Sequence, residues 1–496
     1  MRSLKKYPFF LVLLPIFFCL HGWTENYSSI SFGEVFFVGL SILIVIAILF
    51  LIVYFFTTKY LYSALITVFI SVWYFFFGAI HDFIKSVNLL SFLKHYTTLL
   101  PVLVLASLIW ILFLRQNRAK FSIITLYLNA LLIIYCVIDL AKLIIFLNVK
   151  STAKEQPARE YASVKQKPNV YFLLFDGYPG QKTLTDSFNY DNKDFTSFLE
   201  FNQFKSLPIH SNYDYTLYSM SSIFNMQYVN NNYKVNEETQ KDGQLRQNEI
   251  KRGAVFDIFE SIGYKIVNHS VFDIKSLPGL SDENSFLLGH SILLTNKILI
   301  NRIRKDLTFL FTDDQIKYLP FLKNQSVFID RNNNLKAEAL TIDLAGKKND
   351  APIFCYSHFL MPHAPYFYDS LGRETDHKKM TNFEVLLNKP NFISYLKYTN
   401  KVAQNIIASI RSKDSGAIII LISDHGVRTF PRQAYKEEAN FDNICYVHFP
   451  NKNYFVPTPT FTNVNIFRYL LNSQFNQKLP YLKDTSFTYI PSSKKQ

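Results

Sequence analysis

Long apolar runs in the first 150 residues constrain this chain more than any other feature. An apolar segment of roughly 18 or more residues with no charge can cross a bilayer as a helix. Runs of about that length occur at five places: Pro8–Trp23, Val35–Phe56, Tyr60–Ile80, Leu99–Leu114 and Phe121–Ile138. The sequence therefore predicts a five-helix transmembrane domain over residues 1–149. For the first run, which follows Lys5 and Lys6, a cleaved signal peptide is the alternative.

The basic residues between these runs predict their orientation. Cytoplasmic loops of membrane proteins carry an excess of Lys and Arg. With the N-terminus inside, the outer loops contain only Lys85 and Lys94, whereas the inner segments contain seven basic residues: Arg2, Lys5, Lys6, Lys59, Arg115, Arg118 and Lys120. Five crossings place every residue after 150 outside the cytoplasm. We therefore expect a multi-pass protein of the cytoplasmic membrane with an extracytoplasmic C-terminal domain.

Polar residues near the spans have their own interpretations. Asp139 and Lys142 are one helical turn apart near the outer end of the fifth run, which predicts an interfacial ion pair rather than a transport role. The outer loop Asp82–Thr98 alternates apolar and polar residues, which predicts an amphipathic helix at the membrane surface.

The remainder of the chain is typical of an α/β domain. Residues 150–167 are polar and lack periodicity, which indicates a linker. In residues 168–496, apolar strand-like runs such as Asn169–Phe175 and Gly416–Ile422 alternate with helical segments such as Phe392–Arg411. This alternation predicts a mostly parallel sheet with helices on both faces. Although the net charge is +14, the sequence has no cluster of basic residues with interleaved aromatic residues. We therefore do not expect nucleic acid as a partner.

Three polar residues directly follow two of these apolar strands. Asp176 ends the first strand, and Asp424 and His425 end the strand at Gly416–Ile422. Ligands of α/β sheets bind beyond the carboxyl ends of the strands, and two carboxylates with an imidazole can hold a divalent cation there. The alternative is that these residues belong to unrelated turns, because Asp-Gly and His-Gly are common turn sequences.

Two further segments carry groups suited to chemistry on an anion. Thr216 begins a predicted helix, where a hydroxyl serves as a cap or meets a bound anion. Activated by a metal, it would be a nucleophile for a phosphoester. His358 and His363 lie in a proline-containing segment after another strand, which could aim an imidazole at a substrate.

Taken together, these motifs resemble those of the alkaline phosphatase/sulfatase superfamily. DGYPG after a strand, the segment Thr216–Met226, MPHAPY at Met361–Tyr366 and SDHG at Ser423–Gly426 occur in the superfamily's order. The preceding spans make the chain similar to the membrane-anchored branch, which includes lipoteichoic acid synthase and lipid A phosphoethanolamine transferase. Thr216–Met226 overlays the sulfatase nucleophile motif without a gap, with Met220 in the place of the motif's Arg.

The resemblance implies a role for each matching residue. It places Thr216 at the nucleophile and assigns one divalent ion (Mn, Mg or Zn) to Asp176, Thr216, Asp424 and His425. It assigns contact with the anionic substrate to His363, with His358 as a second candidate. No residue set matches the second zinc site of alkaline phosphatases, which implies a single ion.

The expected function follows from this assignment. Sulfatases use formylglycine made from Cys or Ser, and Thr216 cannot form an aldehyde because its β-carbon carries a methyl group. We therefore expect a transferase that moves a phosphoglycerol- or phosphoethanolamine-like group from a membrane lipid to an envelope glycan or lipid through phospho-threonine. The alternatives are a hydrolase of phosphate or sulfate esters and a non-catalytic lipid-binding regulator. The basic helix expected in Gly289–Leu310 is either packed with a solvated end or contacts a head group.

Overall fold

A computed structural model describes most of the chain, and its contacts divide the chain into two compact units. Unit 1 consists of Met1–Glu155 and Glu283–Asn324, and unit 2 of Gln156–Asp282 and Gln325–Gln496. The described residues are 2–25, 30, 32–148, 167–229, 240–280, 294–307, 325–376, 383–428, 437–455 and 461–488. The predicted linker lies almost entirely outside these residues. Residues 283–324, predicted as part of the extracytoplasmic domain, group with the membrane helices.

Helices form most of unit 1 and cover the sheet of unit 2. In chain order they are α1 Arg2–Lys6, α2 Phe10–Glu25, α3 Phe32–Thr57, α4 Tyr60–Phe75, α5 Phe77–Ser86, α6 Tyr96–Gln116, α7 Phe121–Asn148, α8 Gln181–Phe188, α9 Lys193–Phe201, α10 Thr216–Asn225, α11 Gln240–Lys251, α12 Ala254–Ser261, α13 Leu299–Leu307, α14 Gln325–Ala345, α15 Phe383–Leu386, α16 Lys389–Lys413 and α17 Ile466–Gln474. The described strands are β1 Val170–Phe175, β2 Lys205–Ser206, β3 Ile209–His210, β4 Lys265–His269, β5 Ile353–Phe359, β6 Ile418–Ile422, β7 Cys445–His448 and β8 Phe461–Thr462.

Unit 1 contains helices with the length and composition of membrane spans. Three described segments qualify on their own: Phe32–Thr57, Tyr96–Gln116 and Arg118–Ile145. A fourth span would combine α4 and α5, which are bent by 60° relative to each other. The apolar helix α2 has only 16 residues. A membrane-anchoring region is therefore supported, whereas the count of five spans stays a prediction.

The structure also answers two smaller predictions about unit 1. Lys142 Nζ lies 3.3 Å from Asp139 Oδ1, so the predicted ion pair is confirmed, and His21 Nδ1 lies 3.0 Å from the other carboxylate oxygen. The prediction of one amphipathic helix over Asp82–Thr98 was wrong. The segment contains the end of α5, a 3₁₀ helix at Asn88–Leu93 and the start of α6, because neither short element continues through the polar residues between them.

The orientation of the chain can be measured with a reporter enzyme that folds only outside the cytoplasm. Fused after residue 490, the reporter is expected to be active, because an odd number of crossings follows a cytoplasmic N-terminus. The control fusion after Lys120 is expected to be inactive. Activity after Lys120 together with no activity after residue 490 would show that the topology is the reverse of the predicted one. Inactivity at both positions would mean that the crossing predicted between them, α7, does not occur.

Unit 2 is built on a six-stranded mixed sheet in the order β2-β7-β6-β1-β5-β4. The four strands β6, β1, β5 and β4 are parallel, whereas β7 pairs antiparallel with β6, and β2 pairs antiparallel with β7 at the edge of the sheet. The even-numbered residues of β1 pack into one apolar core and the odd-numbered residues into another. A strand buried on both faces must be apolar throughout, which explains the uninterrupted run that predicted it. The α/β class is thereby confirmed.

Candidate active site

The topology of the sheet brings the three strand-end residues together. Strand β1 lies between β5 and β6, and all three run in the same direction. Their carboxyl ends therefore share one edge, and the backbone N–H of Asp176 donates to the carbonyl oxygen of Phe359 at 2.9 Å. Asp176 follows β1, and Asp424 and His425 follow β6 after one intervening residue. Asp176, Asp424 and His425 therefore lie together at one edge of the sheet, as the sequence predicts.

These three side chains form a buried cluster with ligand atoms facing one another. His425 Nε2 lies 3.4 Å from Asp424 Oδ2 and 3.6 Å from Asp176 Oδ1. The ligand atoms of the three residues all lie within 4.8 Å of one another. Asp176 Oδ1 and Asp424 Oδ2 are buried without a hydrogen-bond partner among the described residues. Because unpaired buried carboxylate oxygens are costly, the cluster fits a cation that binds both.

Hydrogen bonds and burial fix the state of these groups. His425 Nδ1 donates to the carbonyl oxygen of Gly426 at 2.7 Å, which leaves the Nε2 lone pair for a cation. Burial lowers the pKa of His425, which favours the neutral, ligating imidazole. Burial alone would raise the pKa of Asp176, but the nearby imidazoles of His363, His358 and His425 lower it below its ordinary value. The lowered pKa values favour an ionised Asp176 and a neutral His425.

Thr216 presents its hydroxyl to this cluster from the first residue of α10. Its Oγ1 lies 3.4 Å from Asp176 Oδ2 and 3.3 Å from His425 Nε2. Ser219, one turn later on the same helix, donates through Oγ to the carbonyl oxygen of Asp424 at 2.6 Å, which ties α10 to the end of β6. Thr216 is only half-buried, and the positive end of the helix dipole lies beside it. A substrate anion can therefore reach this hydroxyl.

The two predicted histidines occupy different surroundings. His363 is half-buried, and its Nδ1 donates to the carbonyl oxygen of Ala364 at 2.6 Å. Gly177, with φ +67°, lies between His363 and His425. A β-carbon at this position would lie 3.6 Å from His425 and 3.7 Å from His363. His358 is only 1% exposed, with Nε2 3.5 Å from Asp176 Oδ2 and Nδ1 2.8 Å from the Tyr356 hydroxyl. His358 thus faces the Asp176 carboxylate, and His363 is the more accessible imidazole.

Sequence reasoning missed two charged residues at this site. Asp330 on α14 is buried enough that its pKa rises to about 6, with opposing effects of the nearby His363 and Asp176. The Arg428 guanidinium carbon lies 4.8 Å from the centre of the Tyr215 ring, and Arg428 Nη1 donates to the carbonyl oxygen of Asp214 at 3.1 Å. No sequence signal identifies Asp330. Arg428 follows the SDHG motif by two residues and could have been found there.

Met220, which takes the place of the Arg in the sulfatase nucleophile motif, does not lie beside Thr216. Met220 is fully buried in the apolar core on one face of the sheet. A positive anchor at this position of α10 would therefore lie in the core rather than beside Thr216. Arg428, packed against Tyr215 immediately before Thr216, is the described cation that could replace the anchor.

Comparisons with known proteins identify structural neighbours but no sequence relatives. No family model matches the chain. No curated protein matches it either. The zinc complex of the C-terminal periplasmic domain of EptC from Escherichia coli is similar at a TM-score of 0.38 and 10% identity, over 64% of this chain and 84% of that one.

Two further similar structures are those of a phosphoethanolamine transferase and of a sulfatase. The soluble domain of lipooligosaccharide phosphoethanolamine transferase A from Neisseria meningitidis has a TM-score of 0.38 and 11% identity, over 63% of this chain and 90% of that one. A 2-O GAG sulfatase has a TM-score of 0.38 and 10% identity, over 64% of this chain and 72% of that one. These similar structures thus include a phosphoethanolamine transferase and a sulfatase.

Proposed function

We propose that this protein is a membrane-bound, metal-dependent transferase of the alkaline phosphatase/sulfatase superfamily. It moves a phosphoglycerol- or phosphoethanolamine-like group from a lipid donor to a glycan or lipid of the cell envelope. The observation that carries the proposal is the position of the Thr216 hydroxyl, 3.3 Å from His425 Nε2 at the rim of a buried carboxylate–imidazole cluster. A hydroxyl with no such neighbours would be too weak a nucleophile.

The donor set fits one divalent ion. Asp176, Asp424 and Thr216 offer oxygen atoms and His425 offers a nitrogen, a combination that suits Mn, Mg or Zn. When bound, such an ion lowers the pKa of the Thr216 hydroxyl, so that its proton is lost to solvent, and offsets charge on the substrate phosphate. The two carboxylate oxygens without partners, on Asp176 and Asp424, support this assignment.

The transfer then has two balanced steps. Thr216 Oγ1 forms a bond to the phosphorus of the donor while the bond between phosphorus and the glycerol oxygen of the lipid breaks. His363 gives a proton to the departing oxygen, which leaves as diacylglycerol. An acceptor hydroxyl next gives its proton to the same imidazole and bonds to phosphorus, and the bond to Thr216 Oγ1 breaks. His358 positions Asp176 throughout, because its buried ring faces that carboxylate.

Two features favour a lipid-linked transfer over sulfate-ester hydrolysis. The methyl group on the β-carbon of Thr216 prevents formylglycine formation, which removes the cofactor that sulfatases require. Helices of unit 1 are long and apolar enough to cross a membrane, which would place lipid substrates close to the chain. We assign the catalytic unit to the outer side of the cytoplasmic membrane, as the distribution of basic residues predicts.

Purified full-length protein with head-group-labelled phospholipids tests this proposal. We expect release of diacylglycerol and appearance of the label on an added glycan or lipid acceptor. Label released as a free head group, at the same rate with or without acceptor, would instead identify a hydrolase. No turnover with any divalent metal would identify a binding protein.

Substitution of Arg428 tests whether it supplies the positive charge that Met220 does not. For Arg428→Ala we expect kcat/KM for the lipid donor to fall about tenfold to a hundredfold, mainly through KM, because a charge-assisted contact with the phosphate is lost. Arg428→Lys should retain part of the activity, since the charge stays but the planar group over Tyr215 is lost.

A surface control accompanies these two variants. Lys182, whose side chain is 70% exposed and pairs with Glu438, can be changed to Ala without an expected kinetic effect. Unchanged kinetics in Arg428→Ala, with normal thermal stability, would remove Arg428 from the proposed substrate site.

A further inference from the structure

Unit 1 contains a cavity that the proposed chemistry does not use. Its volume is about 430 Å³, and it lies where the bent pair α4–α5 and the start of α6 meet α13. Most of its lining residues are basic, imidazole-bearing or hydroxyl-bearing: His81, Lys85, Lys94, His95, Tyr96, Thr97 and Asp306. An open pocket of this size with charged side chains on its wall can hold a small charged group.

The two lysines of this cavity, Lys85 and Lys94, outnumber its one carboxylate, Asp306. Asp82 is paired, since Lys297 Nζ lies 2.6 Å from it and Arg302 also contacts it. Among the described residues, no carboxylate lies within ion-pair distance of Lys85 or Lys94, both of which are exposed. These are also the two lysines predicted for the outer loops, where basic residues are otherwise lacking.

The acidic residue of the cavity accepts a hydrogen bond, whereas one nitrogen of a buried imidazole has no partner among the described residues. Asp306 Oδ2 accepts a hydrogen bond from the Tyr96 hydroxyl at 2.6 Å. His81 is 1% exposed and donates through Nε2 to the carbonyl oxygen of Lys94 at 2.8 Å. Its Nδ1 is buried and has no partner among the described residues. A buried polar atom without a partner at a cavity wall indicates a ligand group.

Exposed apolar side chains, close in sequence to the residues that line the cavity, indicate what carries that group. Phe83, Leu89 and Phe92 are exposed by 64%, 85% and 65%. Phe83 lies in α5, and Leu89 and Phe92 lie in the 3₁₀ helix between α5 and α6, where a membrane span is expected to meet the interface. Large apolar side chains at this level can enter the acyl region, as they do in interfacial helices.

We propose that this cavity binds the head-group phosphate of a phospholipid in the outer leaflet. Lys85 and Lys94 neutralise the phosphate, Nδ1 of His81 accepts a hydrogen bond from a hydroxyl of the head group, and Phe83, Leu89 and Phe92 contact the acyl chains. The site is separate from the chemistry of Thr216 and does not require it. Free phosphate shares the polar contacts but not the apolar ones, so the two sources can be distinguished.

Native mass spectrometry of the full chain in detergent tests the site. Thr216→Ala serves as background, so that bound lipid is not consumed. The probes are dioleoyl phosphatidylglycerol, dioleoylglycerol with the same chains but no phosphate, and inorganic phosphate. We expect a phosphatidylglycerol adduct whose affinity falls about tenfold in Lys85→Ala/Lys94→Ala, because each lysine contributes to attraction of an anionic lipid. Lys59→Ala, an exposed lysine elsewhere in unit 1, is the control.

Three outcomes would overturn the proposal. Equal phosphatidylglycerol binding by the double-lysine variant and the control would show that the cavity does not hold the phosphate. Equal binding of dioleoylglycerol would show that apolar contact alone retains lipid. Displacement of phosphatidylglycerol by equimolar inorganic phosphate would identify a free-phosphate site. His81→Gln, which keeps a donor for the Lys94 carbonyl but lacks Nδ1, is expected to bind more weakly at unchanged thermal stability.

Discussion

Replacement of Thr216 by Ala should lower turnover of the lipid donor by about four orders of magnitude or more, while the protein folds normally. The variant removes the only oxygen through which a covalent phospho-enzyme is proposed to form. Folding should be preserved, because Thr216 is half-buried and its hydroxyl makes only long contacts, at 3.3 and 3.4 Å, to His425 and Asp176.

Two matched variants separate the nucleophile from a merely structural hydroxyl. Thr216→Ser keeps the oxygen and should retain activity within roughly tenfold of the wild type. Ser219→Ala, one turn along the same helix, removes the bond to the Asp424 carbonyl and should reduce stability more than it alters the chemistry. Intact-protein mass spectrometry after exposure to phospholipid should detect an adduct in the wild type and none in Thr216→Ala. Near wild-type turnover by Thr216→Ala would disprove the phospho-threonine mechanism.

The residues at the sheet edge could be predicted from sequence for a physical reason. A parallel strand covered on both faces must be apolar along its whole length, so its end is visible where the first polar residue appears. Asp176 follows Val170–Phe175 in this way, and Asp424 follows Ile418–Ile422. Since parallel strands end at the same edge, a shared edge could be predicted, whereas the contact between these residues also requires β1 and β6 to be neighbours, which the sequence does not show.

Contacts made by distant segments could not be predicted in the same way. Asp330 on α14 lies close enough to His363 and Asp176 for their charges to affect its pKa. The residues next to it in sequence form no motif. The pair between Arg302 and Asp82 joins residues 220 positions apart. The sequence showed only a basic amphipathic helix, with no sign that it packs against the membrane helices. The inward position of Met220 likewise depends on how α10 is rotated against the sheet.

Substitutions in the carboxylate–imidazole cluster should separate ligands of the metal from groups that act on the substrate. Asp424→Asn and His425→Ala are each expected to lose the bound divalent ion and to abolish turnover, because a one-metal site has no second ion to compensate. The same loss is expected on dialysis of the wild type against a chelator, with recovery on return of the metal.

His363→Ala should behave differently from these two variants. It is expected to keep the metal at wild-type stoichiometry but to lose rate, since His363 is assigned to proton transfer and the described three-residue cluster does not include it. Its lower rate should not be restored by added metal. Elemental analysis of the purified wild type and the three variants measures the stoichiometry directly. Two ions per wild-type chain, or loss of metal from His363→Ala, would contradict the single-ion assignment and place His363 among the ligands.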